Sequence, residues 1–324
     1  MGRSGILFRV TYKIIVRIIQ GEGAAKQAVL SLFLYRGGWD MFLTLIINGL
    51  MTAASLLLLS MGMAIIFGIM NVVNLAHGEL IVIGAYVSFT MIETLKLPFW
   101  IAIPASFVVT AILGAIIEKL IVKKLYGKIA ETLLVTYALS MIFQQILKLI
   151  YGAGYIHISA PVTGAVKMGK TIMPVYYIWI IAISAVVFVG THLLFNKTRL
   201  GMQIRAVSQN RPMSECLGVN VKLIDTLTFA YGAGLTGLAG CIIAPINSIS
   251  PFVGSNYMVD SFMAVVLGGV DTLFGTVLGS LIMGESNSVI GGYMDSVFAE
   301  MIVVFAVVII IRFKPKGLIV KERR

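Results

Sequence analysis

GMAIIFGIMNVVNLAHGELIVIGAY, residues 62–86, is apolar at both ends and polar in the middle, where Asn71, Asn74, His77 and Glu79 lie close together. One straight helix through lipid would carry all four at depth, and each ionisable group there costs at least ~3 kcal/mol. The stretch therefore reads as two short helices meeting at an irregular break. A second stretch, DSFMAVVLGGVDTLFGTVLGSLIMG at 260–284, has the same character, with Gly268 and Gly269 followed by Asp271. Irregular backbone is tolerated at membrane depth only where protein or a water-filled cavity receives the freed N–H and C=O groups. A pair of such breaks, one in each half of a chain, points to a transport site. The two halves do not align cleanly, so an internal repeat stays an open question.

Outward from these breaks the chain is apolar almost throughout. Of 324 residues, 59% are hydrophobic and 12% charged, against roughly 25% charged in soluble domains. A soluble fold could not cover so much apolar surface, which leaves lipid as the solvent. At about 20 apolar residues per crossing, and fewer where helices break, ten passages are expected. They are 39–60, 61–74, 79–95, 99–122, 132–150, 175–195, 225–249, 259–271, 276–291 and 297–312. The expected fold class is an all-α polytopic membrane protein. Residues 1–38 read as an N-terminal amphipathic segment, 39–312 as the transmembrane domain and 313–324 as a cytoplasmic tail.

The net charge of +11 sits at the ends of apolar runs. No basic and aromatic residues interleave as they do on a nucleic-acid surface, so membrane lipid is the expected counterpart and nucleic acid is not. One cluster, Arg3, Arg9, Lys13, Arg17, Lys26 and Arg36, precedes the first passage, and Lys119, Lys123, Lys124 and Lys128 follow the fourth. Lys197, Arg199, Arg205, Arg211 and Lys222 lie between the sixth and seventh, and a last cluster runs from Arg312 to Arg324. Ten crossings put all four on the cytoplasmic side of a bacterial inner membrane, with both termini cytoplasmic. Residues 5–20, with Arg9, Lys13 and Arg17 on one helical stripe, lack the layout of a signal peptide. They fit a helix lying among the headgroups, with an additional span as the alternative.

Each polar group at depth has a structural reading beside the functional one. His77 and Glu79 could pair with each other or cap the helix that follows, or face a pathway. Asp260 is expected to open its helix, where the dipole alone favours a carboxylate. Of the adjacent Gln144 and Gln145 only one can meet a given partner, as a bond between helices. Asn247 lies beside the expected external mouth. Gly275 with Gly279, and Gly234, Gly237 and Gly240 along one helix, read as close packing. The candidate pathway residues are Asn71, Asn74, His77, Glu79, Asn247 and Asp260.

Several motif matches mislead. GAVKMGKT at 164–171 fits the phosphate-loop pattern but lacks the strand and receiving helix that give the pattern its physics. GAGLTG at 232–237 fits the dinucleotide pattern inside a membrane span, and Asn196-Lys197-Thr198 is a glycosylation sequon on the cytoplasmic side. Two cysteines, Cys216 and Cys241, and three scattered histidines, His77, His157 and His192, form no disulfide framework or metal site. No Ser/His/Asp or Cys/His set is present. An enzyme is not expected, nor a catalytic residue, a metal or a cofactor.

The loop TRLGMQIRAVSQNRPMSECLGVNVKLID at 198–225 has a helix-like stretch around Arg205 to Gly218, interrupted at Pro212. It reads either as a basic connector or as a surface helix that docks on another protein. Together with FGIMNVVNLAHGELIVIGAY (67–86), VVLGGVDTLFGTVLGS (265–280) and RFKPKGL (312–318), it makes the chain resemble, over roughly 39–320, the permeases of ATP-binding-cassette importers of the branched-chain amino acid and urea family. The resemblance implies a coupling helix in this loop, with Arg205, Gln209, Asn210, Glu215 and Gly218 at the ATPase contact. It also implies a homologous second permease, two ABC ATPase subunits and an external substrate-binding protein as partners.

Within that family, RAVSQNR at 205–211 and INSISPFVGSNYMVDSFMAVVLGGVD at 246–271 look more like the urea-type permease. Urea needs only amides, hydroxyls and a few acceptors, and the 39–150 half has few cations to meet an amino-acid carboxylate. Urea is therefore the leading substrate expectation, with branched-chain amino acids the alternative. A passive urea or water channel and an ion-coupled carrier are the rivals from other classes.

Overall fold

The computed structural model describes residues 38–70, 72–162, 164–168, 171–270, 272–314 and 317–319. The polypeptide is a bundle of helices with one small hairpin. Helix α1 spans Gly38–Met70, α2 His77–Phe89, α3 Phe99–Leu120 and α4 Ile129–Tyr151. The hairpin pairs β1, Ala165–Met168, with β2, Thr171–Pro174, in antiparallel register. Helix α5 is Val175–Lys197, and two short helices follow, α6 at Arg199–Gln209 and α7 at Arg211–Cys216. Then come α8, Val221–Ile243, α9, Gly254–Gly268, α10, Leu273–Gly291, and α11, Ser296–Phe313. Seven of these helices are long and apolar enough to cross a membrane, and α2 and α9 are the shorter members.

The largest correction concerns α1. The passages expected at 39–60 and 61–74 are one continuous helix of 33 residues, about 50 Å at 1.5 Å per residue. Nothing in 62–70 stops a helix: there is no proline, and the glycines are covered. Gly62 lies against Gly232 and Thr236, and Gly68 against Val270. The break expected in the polar middle of 62–86 is present, between Met70 and His77. Among the described residues seven helices are long and apolar enough to cross, against the ten passages expected, and the N-terminal segment 5–20 lies outside those residues.

Helices α1 and α8 are buried over most of their length, whereas α4, α5 and α11 expose most of theirs. The exposed side chains of that outer ring are apolar, such as Leu134, Val186 and Phe305, which lipid covers. Helix α8 touches α1, α2 and α3, and its glycines permit that. A Cβ on Gly84 in α2 would stand 2.1 Å from the Gly237 carbonyl, and one on Gly240 would stand 1.9 Å from the Ile81 carbonyl. The two backbones meet without side chains between them.

Polar side chains close the helix starts that follow the breaks and turns. Thr198, Asn210, Asn220 and Thr272 accept from the N–H groups of Gly201, Met213, Leu223 and Gly275 at 3.0–3.2 Å. The phosphate-loop match at 164–171 is part of the hairpin and not the plain loop expected, and helix α5 starts only after Pro174. The dinucleotide match at 232–237 lies within α8, as expected.

Candidate functional site

The chain turns back after α1, and Asn71 falls outside the described residues. The backbone from Val72 to Ala76 is irregular, and side chains take up its polar groups. The Leu75 N–H donates to Thr136 Oγ1 of α4 (3.1 Å) and the Ala76 N–H to Asn74 Oδ1 (3.0 Å). His77 and Glu79, both buried, do not pair with each other. The His77 Nε2 lies 3.2 Å from the Leu59 carbonyl of α1, and its Nδ1 lies 3.5 Å from Thr236 Oγ1 of α8. Glu79 Oε1 accepts from Ser140 Oγ (3.1 Å) and Gln144 Nε2 (2.8 Å) of α4, while Oε2 has no partner among the described residues.

Glu79 sits in the first turn of α2, and its carboxylate also lies against Gly254, the first residue of α9. A Cβ there would stand 2.7 Å from Oε1. Two helix N-termini therefore face one carboxylate, and their dipoles favour its negative charge. Glu79 thus joins α2, α4 and α9 while His77 joins α2 to α1 and α8, a convergence that no single sequence motif announces.

The second break falls at Gly269, whose φ of 113° suits glycine. Asp271 lies outside the described residues. The backbone N–H groups of Leu318 and Ile319 donate to the Leu267 and Gly268 carbonyls, both at 3.0 Å, so the RFKPKGL segment closes the end of α9. Asp260 does not open its helix: α9 begins at Gly254, and Asp260 lies half-buried beyond its first turn. Asn247 is exposed and donates to the Tyr257 hydroxyl (3.2 Å). Of the glutamine pair, Gln144 bonds Glu79 and Gln145 is exposed.

Both breaks open onto one cavity of about 800 Å³, lined by Val72, Val270, Tyr126, Lys128, Asn210 and Arg211. It lies at the end of the molecule where three of the basic clusters gather. At the other end, the gap among Ile81, Ile243, Ile249 and Tyr257 is about 10 Å³, hardly room for one water. The larger cavity thus lies at the basic end.

The segment that resembles a coupling helix is two helices with a break at Asn210. Arg205 donates to the Phe195 carbonyl and, at 3.2 Å, to Asn196 Oδ1, so it caps α5. Asn210 caps α7, and Gly218, with φ of 80°, follows its end. Gln209 and Glu215 are exposed. What α7 offers outward is mainly apolar, with Met213 57% and Leu217 74% exposed.

Behind α7 lies a polar cluster that the sequence reading passed over. Arg211 donates to both oxygens of Asp225, each at 3.1 Å, and stacks 4.5 Å over the Tyr126 ring. The Tyr126 hydroxyl donates to Glu118 Oε1 (3.3 Å), and Thr226 Oγ1 donates to Glu118 Oε2 (2.5 Å). Burial, with the Asp225 and Glu118 carboxylates nearby, holds the Tyr126 hydroxyl well above its ordinary pKa, so it stays a donor. The available signal was a carboxylate, Asp225, at the start of an apolar run amid cations. Counting the cations only by membrane side hid it.

With this geometry in view, comparison with known proteins is direct. Residues 45–312 match the family described as branched-chain amino acid transport system / permease component, and the chain belongs to that family. It is 26% identical over 293 residues to the high-affinity branched-chain amino acid transport system permease protein BraD of Pseudomonas aeruginosa, covering 86% of this chain and 95% of that one. It is 24% identical over 296 residues to the corresponding LivH of Escherichia coli, with the same coverage. The ribose import permease protein RbsC of Escherichia coli is 24% identical over 264 residues, 78% of this chain and 79% of that one. No solved structure matches. The chain is a multi-pass membrane permease component and not an enzyme.

Proposed function

We propose that this chain is the permease subunit of an ATP-driven importer of the bacterial inner membrane that moves branched-chain amino acids or a close relative. The observation that carries the reading is the family match across 45–312, joined to a chain with two broken helices and an exposed apolar helix tip. ATP is hydrolysed on two partner ATPase subunits that dock at α6 and α7. A homologous second permease completes the pathway, and an external binding protein delivers the substrate.

The basic end is cytoplasmic, as its lysines and arginines favour. The cavity there is the exit vestibule of a cytoplasm-open state. Asn74, His77 and Glu79 shape the path by fixing the break. Asp260 and Asn247 belong to its lining, and Asp260 offers a carboxylate to a substrate ammonium. Helix α1 ends at the basic end and so starts, at Gly38, at the opposite one, which leaves the expected cytoplasmic placement of 1–38 without support, while 313–324 form the tail.

Urea, the leading expectation from the sequence, gains no support from the BraD, LivH or RbsC relatives, whose names give branched-chain amino acids and ribose. At 24–26% identity the relatives differ among themselves in substrate, so uptake decides. The test is labelled leucine against labelled urea in proteoliposomes holding the chain with its ATPase and receptor partners. ATP-dependent leucine entry supports the reading; urea entry that leucine does not inhibit replaces the substrate.

A further inference from the structure

The structure assigns to Arg211 a role as the positioning residue that links the coupling helix to the membrane body, through Asp225, Tyr126 and Glu118. This rests on the importer reading and deepens it.

Helix α7 has six residues, too few to hold helical shape in water unaided. Its outward face is free for a partner, so a push on it reaches the bundle only through its inward contacts. The side-chain contacts among these are specific. Arg211 begins α7 and grips Asp225 with both guanidinium arms, and the Asp225 side chain is 7% exposed. A bidentate fork fixes direction as well as distance, which a lysine point charge does not. Pro212 limits the backbone beside it. The guanidinium plane also lies on Tyr126, in the turn that joins α3 to α4.

Onward transmission is equally defined. Asp225 and Thr226 are neighbours in α8, and Thr226 and Tyr126 meet on the buried Glu118 of α3. The start of α8, the end of α3 and the turn that leads into α4 are therefore held around one carboxylate pair and one cation. From Asp225, α8 runs to Thr236, about 16 Å along its axis, where it meets His77 at the first break. Asn210 and Arg211 also line the cavity on which both breaks open. A displacement of α7 is thus applied to α8, the helix whose Thr236 touches the break at His77, not to a loose connector.

The test uses the complete complex in proteoliposomes and reads three quantities: ATPase subunits retained on gel filtration, ATP hydrolysed, and substrate moved. Arg211→Ala is expected to retain the ATPase subunits and hydrolyse ATP, while substrate moved per ATP falls about tenfold, within the usual span of coupling effects. Arg211→Lys is expected to recover only part of the ratio, and the exchange Arg211→Asp with Asp225→Arg more of it. Tyr126→Phe, which keeps the ring and loses the bond to Glu118, is expected to lower the ratio less, and it serves if the alanine variant fails to fold. An unchanged ratio in both Arg211→Ala and Tyr126→Phe overturns the assignment. So does a loss explained wholly by departed ATPase subunits. If the unaltered complex moves no substrate on ATP, the importer reading itself has failed.

Discussion

Substitution at Glu79 gives the sharpest test of how the broken helix is held. Its Oε1 accepts one bond at 2.8 Å from Gln144 and one at 3.1 Å from Ser140, and the residue is 1% exposed. Hydrogen bonds to a charged group are worth about 1.5–3 kcal/mol each. Glu79→Ala deletes both and leaves two donors facing a void, for an expected loss of about 4 kcal/mol. Glu79→Gln keeps an acceptor for Gln144 but sets an amide N–H₂ toward two helix N-termini, for a loss of about 2 kcal/mol. Gln144→Ala alone is expected to cost about 1–2 kcal/mol. The assay is thermal and denaturant unfolding of the purified protein in nanodiscs, with a double-mutant cycle between positions 79 and 144. A coupling energy of about 1–2 kcal/mol is expected, because the two groups share one bond. Additive losses at the two positions would refute the account of the break.

Further outcomes follow from the same geometry. Gly84→Val forces a side chain between backbones that already touch Gly237 and is expected to abolish folded yield or cost upward of about 3 kcal/mol; Gly154→Ala, with nothing within 4 Å of its Cβ, should leave the melting temperature unchanged. Replacing Met213 and Leu217 together by Ser removes exposed apolar side chains and should weaken ATPase binding at least about tenfold by pull-down titration, with the permease's own melting point preserved. Maleimide should label the exposed Cys216 and spare the buried Cys241, and bound ATPase subunits should protect Cys216; labelling from the external side of sealed vesicles would reverse the proposed orientation.

Legibility differed between fold and site for physical reasons. Lipid-facing helices such as α4, α5 and α11 are long apolar runs bounded by charge, so composition alone locates them. The break between α1 and α2 showed in its polar residues and falls among them, between Met70 and His77, whereas the division expected between 60 and 61 is absent. Gly62 and Gly68 pack against α8 and Val270, and the helix runs through both. Asp260 looked like a helix start because the apolar run begins beside it, whereas α9 opens earlier, at Gly254 against Glu79.

Pairings between distant segments have no local signal. Glu79 with Ser140 and Gln144, and Glu118 with Thr226, each join helices far apart in sequence, and Arg211 meets Asp225 across the turn between consecutive helices. Arg205 and Asn210 were read as outward contacts because they are polar and lie in a polar loop. They also cap α5 and α7, and Met213 and Leu217 stand exposed beside Gln209 and Glu215.

The central claim is ATP-driven import through this chain, and the direct measurement is uptake of labelled leucine by proteoliposomes containing the complete complex, with ATP inside or absent, in competition with urea. The account predicts leucine entry that requires ATP and that excess urea leaves unchanged. Entry at the same rate without ATP, or urea entry with leucine excluded, would contradict it.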